Sequence, residues 1–388
     1  MLLMTAAVVQ LLLATIACGY YAGFAFLGRF APRPRILSQP RTRFTVLIPA
    51  HNEEQVLPAT LCSLRSSCYP EELYRVLVIA DNCNDRTAEM AREFGVECLI
   101  RQDPDRRGKG FALAFGIPAA LANRPDAVLI LDADCRLHPD ALRELAAAIE
   151  TGVPVVQAAV RLGDPRSGAA GLVMAVGSEI ENLVQAGISR CGGRVRLRGT
   201  GMAFTRAILE QFPWRSYGLT EDAEYSAELR RARIPIRFVA TAVVQNSPPA
   251  NLQELCRQRR RWREALRTET VGIIERGLMS KPLVLLQLGL TCATVAVLFF
   301  LQRGILANLL MAWSLGLIAA TGWVYGMALI RLVKFAEAWR SLLLAPLVVW
   351  QLLMVTLAGF WRRGGTWVRT PREASPVIQS IQSPVGLE

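Results

Sequence analysis

The chain reads as an α/β protein: a mostly parallel sheet with helices on both faces, set between apolar segments. Three observations carry that reading. Short apolar runs alternate with helix-length patterns from Phe44 onward, the order that builds parallel sheets. Val76-Leu77-Val78-Ile79 is apolar at every position, as a strand covered on both faces must be, because a strand with one wet face alternates. Residues 2–28, 282–301, 305–330 and 341–361 carry no charge, and each approaches or exceeds the roughly 20 residues that a spanning helix needs.

Taken in order, residues 1–28 predict a retained membrane helix. A cleaved leader would open on Lys or Arg and carry a shorter apolar run. Arg29, Arg33, Arg35, Arg41 and Arg43 follow, and the positive-inside rule puts them, with the middle domain, in the cytoplasm. Strands are expected over residues 44–49, 75–80, 96–100, 127–131 and 153–158, and helices over 54–66, 85–94, 110–121 and 139–150. This cytosolic domain is bounded at 43–248.

Residues 249–277 predict an interfacial amphipathic helix, with Leu252, Leu255, Trp262, Leu266 and Ile273 on a partial apolar face among arginines. A membrane region over 281–361 should contribute two to three further helices, and the basic tail 362–388 should be cytosolic. Three full crossings would leave that tail outside. Pro346 is therefore expected to break the last segment into a re-entrant or interfacial helix.

The net charge of +12 suits an anionic membrane surface and an anionic substrate, while the apolar segments argue against nucleic acid as a partner. Nine cysteines without a Cys-x-x-Cys pair and only two histidines read as reduced packing residues without a zinc site.

Ligands of open α/β sheets bind beyond the carboxyl ends of the strands, and the polar motifs sit there. The first strand ends in Pro49-Ala50-His51-Asn52-Glu53-Glu54 instead of Gly-x-Gly-x-x-Gly, which disfavours dinucleotide redox chemistry. Asp81 ends the second, either to accept hydrogen bonds from a base or ribose or as a turn carboxylate, and Asp85 can cap the next helix. Arg106-Arg107-Gly108-Lys109-Gly110 opens a helix where backbone N–H groups and cations can approach an anion, or forms a solvated basic loop.

Leu131-Asp132-Ala133-Asp134 places carboxylates at i and i+2 where a buried strand ends. Such a pair can hold a hard divalent cation, which in turn holds a diphosphate; the chain is expected to bind a sugar nucleotide. Gly199-Thr200-Gly201 is a tight turn, either structural or one in which Gly201 lets a sugar approach. Thr220-Glu221-Asp222 opens a helix, with Thr220 as candidate N-cap and acids that either favour the dipole or carry chemistry. Gln258, Arg261 and Trp262 share a helical face. An amide, a guanidinium and a ring there make an acceptor platform, although membrane adsorption explains the arginines as well.

Together these motifs, over residues 43–268 with a further piece at Trp367-Val368-Arg369-Thr370-Pro371-Arg372, resemble the inverting family 2 glycosyltransferases. The resemblance is to the membrane-embedded branch that includes synthases of cellulose, hyaluronan, chitin oligomers and poly-N-acetylglucosamine. It implies a GT-A nucleotide-sugar-binding domain, a UDP-sugar donor and Mg²⁺ or Mn²⁺. Pro49, His51, Glu53 and Asp81 would hold the uridine, with Lys109 near base or phosphates. Asp132 and Asp134 would orient ribose and diphosphate, Asp134 through the metal, and Asp222 would be the general base. Gly201, Glu221, Gln258, Arg261 and Trp262 would serve the diphosphate and acceptor. The chain departs from several polymer synthases in offering one amino-terminal span.

The expected function is a membrane-bound, multi-pass enzyme of the inner membrane that extends a glycan or oligosaccharide in cell-envelope or exopolysaccharide synthesis. Membrane lipids and possible export or polymerisation proteins are its partners. The alternatives are transfer of one sugar to a lipid or polyisoprenyl carrier, and a non-catalytic sugar-nucleotide-binding subunit of an export complex.

Overall fold

The computed structural model describes residues 2–32, 39–246, 281–301, 304–332 and 335–358, together with Gln253, Leu255 and Cys256. Gln258, Arg261, Trp262, the rest of the expected interfacial helix and the basic tail lie outside these residues.

The first half of the α/β part follows the apolar periodicity. β1 (Phe44–Ala50), β2 (Tyr74–Asp81), β3 (Glu97–Arg101) and β4 (Ala127–Ile130) alternate with α2 (Leu57–Arg65), α3 (Thr87–Glu93) and α4 (Lys109–Ala122). The strands pair in parallel in the order β3-β2-β1-β4. Leu47 and Ile79 meet α4, where a Cβ on Gly116 would lie 2.8 Å from Ile79 Cγ1 and 3.0 Å from Leu47 Cδ1. Val46, Ile48, Val78 and Leu129 join the cluster that holds Leu57, Leu61 and Leu64 of α2. With both faces covered, each such side chain contributes about 1.5–3 kcal/mol by burial.

The second half comprises β5 (Cys135–Leu137), α5 (Ala141–Ile149), β6 (Val155–Leu162), α6 (Ala169–Arg190), β7 (Met202–Thr205), α7 (Arg206–Gln211), α8 (Glu221–Arg231) and β8 (Ile236–Asn246). It completes an eight-stranded sheet, β3-β2-β1-β4-β7-β6-β8-β5. β6 and β8 are parallel, as the sequence predicts for most of the sheet, whereas β7 runs against both β4 and β6, and β5 against β8. β5 and β7, of three and four residues, are too short for periodicity to register.

Contacts divide the chain into two units. The α/β unit comprises Pro32–Leu162 and Arg194–Leu255, and the helical unit Met1–Ala31, Gly163–Gly193 and Cys256–Gly365. Within the helical unit, α1 (Leu2–Gly28) packs along α6. The backbones nearly touch: a Cβ on Gly28 would collide with the Leu183 carbonyl, and one on Gly187 with the Phe24 carbonyl. Gln10 donates to Thr291 Oγ1 at 3.1 Å and accepts from Thr294 Oγ1 at 3.1 Å, and Trp313 Nε1 donates to Thr15 Oγ1 at 3.0 Å. Arg331 pairs with Glu179 at 3.2 Å.

Among the described residues two helices, Met4–Gly28 and Ile305–Leu332, are long and apolar enough to cross a membrane. The helices Lys281–Leu301 and Phe335–Ala358 carry shorter apolar stretches, Leu286–Val297 and Trp339–Val355. The expected break at Pro346 is absent, and the helix continues through it. Neighbouring helices and local adjustment can accommodate the missing N–H.

Candidate active site

The site begins where β4 stops. Leu131 N–H still reaches Leu47 O at 3.0 Å, and then the chain turns out of the sheet. Asp132 N–H donates to Thr200 Oγ1 at 3.1 Å, and Thr60 Oγ1 donates to Ala133 O at 2.6 Å. The two carboxylates are thus held by elements on either side. Lys109, in the first turn of α4, donates from Nζ to Asp132 Oδ1 at 2.5 Å and to Gly199 O at 2.6 Å, and lies 3.5 Å from Glu221 Oε1. A Cβ on Gly199 would sit 3.5 Å from Lys109 Nζ and 3.7 Å from Asp222 Oδ2. Three sequence motifs, separated by some 90 residues between Lys109 and Gly199, therefore meet.

Gly199 and Gly201 both take left-handed φ, +78° and +66°, which side chains with a Cβ disfavour. Gly201 lies against the sheet, its N–H on Ile130 O at 2.9 Å. Gly199 is the glycine facing the charged groups. The turn is fixed by Gln157, a fully buried amide on β6 that donates to Thr200 O and Ala158 O, each at 2.9 Å, and accepts from Arg198 N–H at 2.8 Å. Sequence reasoning missed Gln157. Its signal was a single amide inside Val155-Val156-Gln157-Ala158-Ala159-Val160.

Glu221 and Asp222 head α8 and Thr220 stands at its N-cap position, as expected, but the Thr220 side chain makes no capping bond. Among the described residues its buried hydroxyl has no hydrogen-bond partner. The first-turn donors are met instead by the Thr220 carbonyl, which accepts from Ala223 and Glu224 at 3.0 and 3.1 Å, and by Asp222 Oδ1, which accepts from Ala223 N–H at 2.9 Å. Burial pushes the Glu221 carboxyl up to about 7, with the Lys109 cation opposing and Asp222 adding to the rise. Burial also raises Asp222, moderated by Lys109, the Ala223 N–H and Arg196. Burial alone would lower the Lys109 ammonium, yet Asp132, Glu221 and Asp222 outweigh it and hold the proton in place.

Asp132 and Asp134 bring carboxylate oxygens, with the Cys135 thiol, within 4.8 Å of one another. Oxygen donors suit a hard cation. Burial and the Asp132 charge push the thiol far up, so it keeps its proton and donates weakly to Asp134 Oδ1 at 3.5 Å. The donor set fits Mg²⁺ or Mn²⁺. Asp134 is the better anchor, since Lys109 already occupies Asp132 Oδ1.

Across the same edge of the sheet, β1 passes through Pro49 and ends at Ala50; His51 follows, its Nδ1 2.7 Å from the Asp81 carbonyl. Glu53 N–H donates to Thr87 Oγ1 at 2.8 Å; Arg86, not Asp85, is the N-cap residue of α3, and Asp85, one residue earlier, accepts at Oδ1 from Thr87 N–H at 3.0 Å. Asp81 is buried and accepts from Arg101 at 2.5 Å, a pairing the sequence did not announce. It sits two strands from Asp132, roughly 10 Å at ordinary strand spacing.

The family described as Glycosyltransferase like family 2 matches residues 40–265, more than half of the chain. The Bacillus subtilis protein described as probable glycosyltransferase YdaM is 27% identical over 63% of this chain and 60% of its own length. The β-monoglucosyldiacylglycerol synthase of Trichormus variabilis is 27% identical over 57% of this chain and 48% of its own length. The chain thus spans between about half and three fifths of these relatives. The mannosyltransferase PcManGT from Pyrobaculum calidifontis, solved in complex with GDP-Man and Mn²⁺, superimposes with a TM-score of 0.54 at 18% identity, covering 92% of this chain and 99% of that one. That likeness is one of fold.

Proposed function

Because the chain belongs to the glycosyltransferase like family 2, we propose that it is a membrane-bound inverting glycosyltransferase that moves a sugar from a UDP-sugar to a glycan or oligosaccharide. The observation that carries this reading is the convergence of Lys109, Asp132, Glu221 and Asp222 around the Gly199 turn. A cation, carboxylates suited to a metal, and a carboxylate of raised basicity are the parts that displacement of a diphosphate requires.

In this reading Pro49, His51, Glu53 and Asp81 hold the uridine, and Asp132 and Asp134 hold a divalent ion. Such an ion, when bound, would offset charge on the leaving diphosphate. Lys109 keeps Asp132 oriented and adds positive charge beside the phosphates. Asp222 takes the proton of the acceptor hydroxyl as its oxygen attacks the anomeric carbon from the face opposite UDP. One displacement inverts that centre, so an α-linked donor gives a β-linked product. Asp222 suits the role better than Asp132 or Asp134, whose lone pairs would be engaged by the cation. Glu221 tunes the pair, and Gly201, Gln258, Arg261 and Trp262 are assigned to the diphosphate and acceptor side.

A location in the inner membrane, with the catalytic unit cytoplasmic, is supported by the two spanning-length helices and by the arginines after Gly28. Exposed Leu12, Leu13, Ile16, Leu309, Leu343, Leu344 and Trp350 suit lipid contact. We assign the remaining apolar helices to the same membrane region.

A second reading, transfer of one sugar to a lipid, is favoured by the similarity to a β-monoglucosyldiacylglycerol synthase. The test is UDP release from a panel of UDP-sugars by the detergent-purified chain with Mn²⁺ or Mg²⁺, followed by mass spectrometry of the product. A ladder supports glycan extension, and a single added sugar on lipid supports the second reading. Absence of release with every donor and acceptor would leave only a sugar-nucleotide-binding role.

A further inference from the structure

We infer that Arg101 selects the nucleobase of the donor by occupying one of the two oxygens of Asp81. The inference rests on the reading of the chain as a nucleotide-sugar enzyme and extends it to a residue outside the motifs. Arg101 ends β3 and is 8% exposed, beside Asp81 at 4%. One guanidinium nitrogen donates to Asp81 Oδ1 at 2.5 Å and another to Asp103 Oδ2 at 2.9 Å. Asn82 Nδ2 donates to the same Asp81 oxygen at 3.1 Å.

The arrangement is closed on itself. Asn82, at φ +50°, donates from its N–H to Arg101 O at 2.7 Å and accepts from Asp103 N–H at 2.8 Å. The guanidinium carbon lies 5.9 Å from the Phe111 ring, which stacks on Tyr217 at 4.6 Å. Arg101 is thus held on several sides, and Asp81 Oδ1 already accepts two donors. Among the described residues, Oδ2 accepts none.

A carboxylate with one oxygen to offer matches a base that presents one N–H. Uracil does so at N3, between two carbonyls. Guanine presents N1–H and the N2 amino group side by side, and satisfying both takes both oxygens of a carboxylate. At Asp81 the second guanine donor would meet an oxygen already saturated by Arg101 and Asn82, and a buried donor without a partner is costly. Sites built on hydrogen bonds discriminate strongly for this reason. Asp81 therefore accepts from the base, and Arg101 makes that acceptance single.

The experiment measures binding of UDP and of GDP, each with Mn²⁺, to the full chain in detergent by calorimetry, alongside Arg101→Gln and Arg101→Lys. Thermal melts show that the variants are folded. In the wild-type chain UDP is expected to bind at least about tenfold tighter than GDP, the loss of one buried hydrogen bond. Arg101→Gln, which releases the fork, is expected to contract that ratio by about fivefold or more, and Arg101→Lys, which keeps the charge but not the planar fork, by less. GDP binding within about threefold of UDP in the wild-type chain would overturn the inference and leave the enzyme reading standing. A UDP preference unchanged in both folded variants would overturn it equally. Failure of both nucleotides to bind would sink the nucleotide-sugar reading itself, and the inference with it.

Discussion

Glu221 and Asp222 are adjacent in sequence and unequal in surroundings, and the difference can be read kinetically. Asp222→Asn is expected to keep the donor affinity and to lower transfer by about 10²–10⁴-fold, the usual contribution of a positioned base; calorimetry with UDP and a product assay separate the two. The base works deprotonated and both carboxyls are raised, Glu221 to about 7. The rate should therefore climb as pH rises through the neutral range and level off above it, with an apparent value that belongs to the pair. Glu221→Gln removes the carboxyl raised to about 7 and should take its share out of that limb, and an unmoved limb would assign it to another group. For stability the sign is opposite. The folded Glu221 holds its proton more tightly than its ordinary 4.5, so its stabilising contribution is complete below about 4.5 and is lost as pH rises toward 7. Asp132, Asp134 and Glu221 were legible in sequence because carboxylates that end apolar runs or open helices stand out. Gln157 and Arg101 were not, since each acts on a turn or carboxylate brought to it by strand pairing.

At the scale of elements, β1 to β4 and β6 were legible, and the short antiparallel strands β5 and β7 were not. β1, β2 and β4 announce themselves by apolar runs such as Val76-Leu77-Val78-Ile79, whereas β7 follows a two-glycine turn held by one buried amide on β6, a combination without periodicity. Gln157→Leu tests that dependence. It leaves the Arg198 N–H and the Thr200 carbonyl without their side-chain partner, at about 1–3 kcal/mol for each unsatisfied group, and lets Gly199 O drift from Lys109. A lowered denaturation midpoint with a disproportionate loss of turnover is expected. In the helical unit, Gly187→Val forces a side chain against the Phe24 carbonyl, and overpacking of this kind costs about 1–3 kcal/mol. Thermal stability in detergent should fall, while Gly19→Val, at a position with open space around its Cβ, should leave it nearly unchanged.

For the whole molecule, the spanning-length helices predict that the protein sediments with membranes and resists an alkaline carbonate wash; release by carbonate would remove the integral-membrane reading. α6 was not foreseen because its apolar residues are interrupted by Ser178, Glu181, Asn182 and Gln185, all of them buried. It also has an unusual place in the chain. The polypeptide leaves the α/β unit after Leu162 and rejoins it at Arg194, spending the interval beside α1 and the helices Ile305–Leu332 and Phe335–Ala358. Anyone trimming the gene to obtain a soluble enzyme by removing only the terminal helices would therefore strip α6 of its cover and produce a piece that precipitates. Excising the internal loop as well, with a short polar bridge joining Leu162 to Arg194, is the edit that should yield a protein that stays in solution.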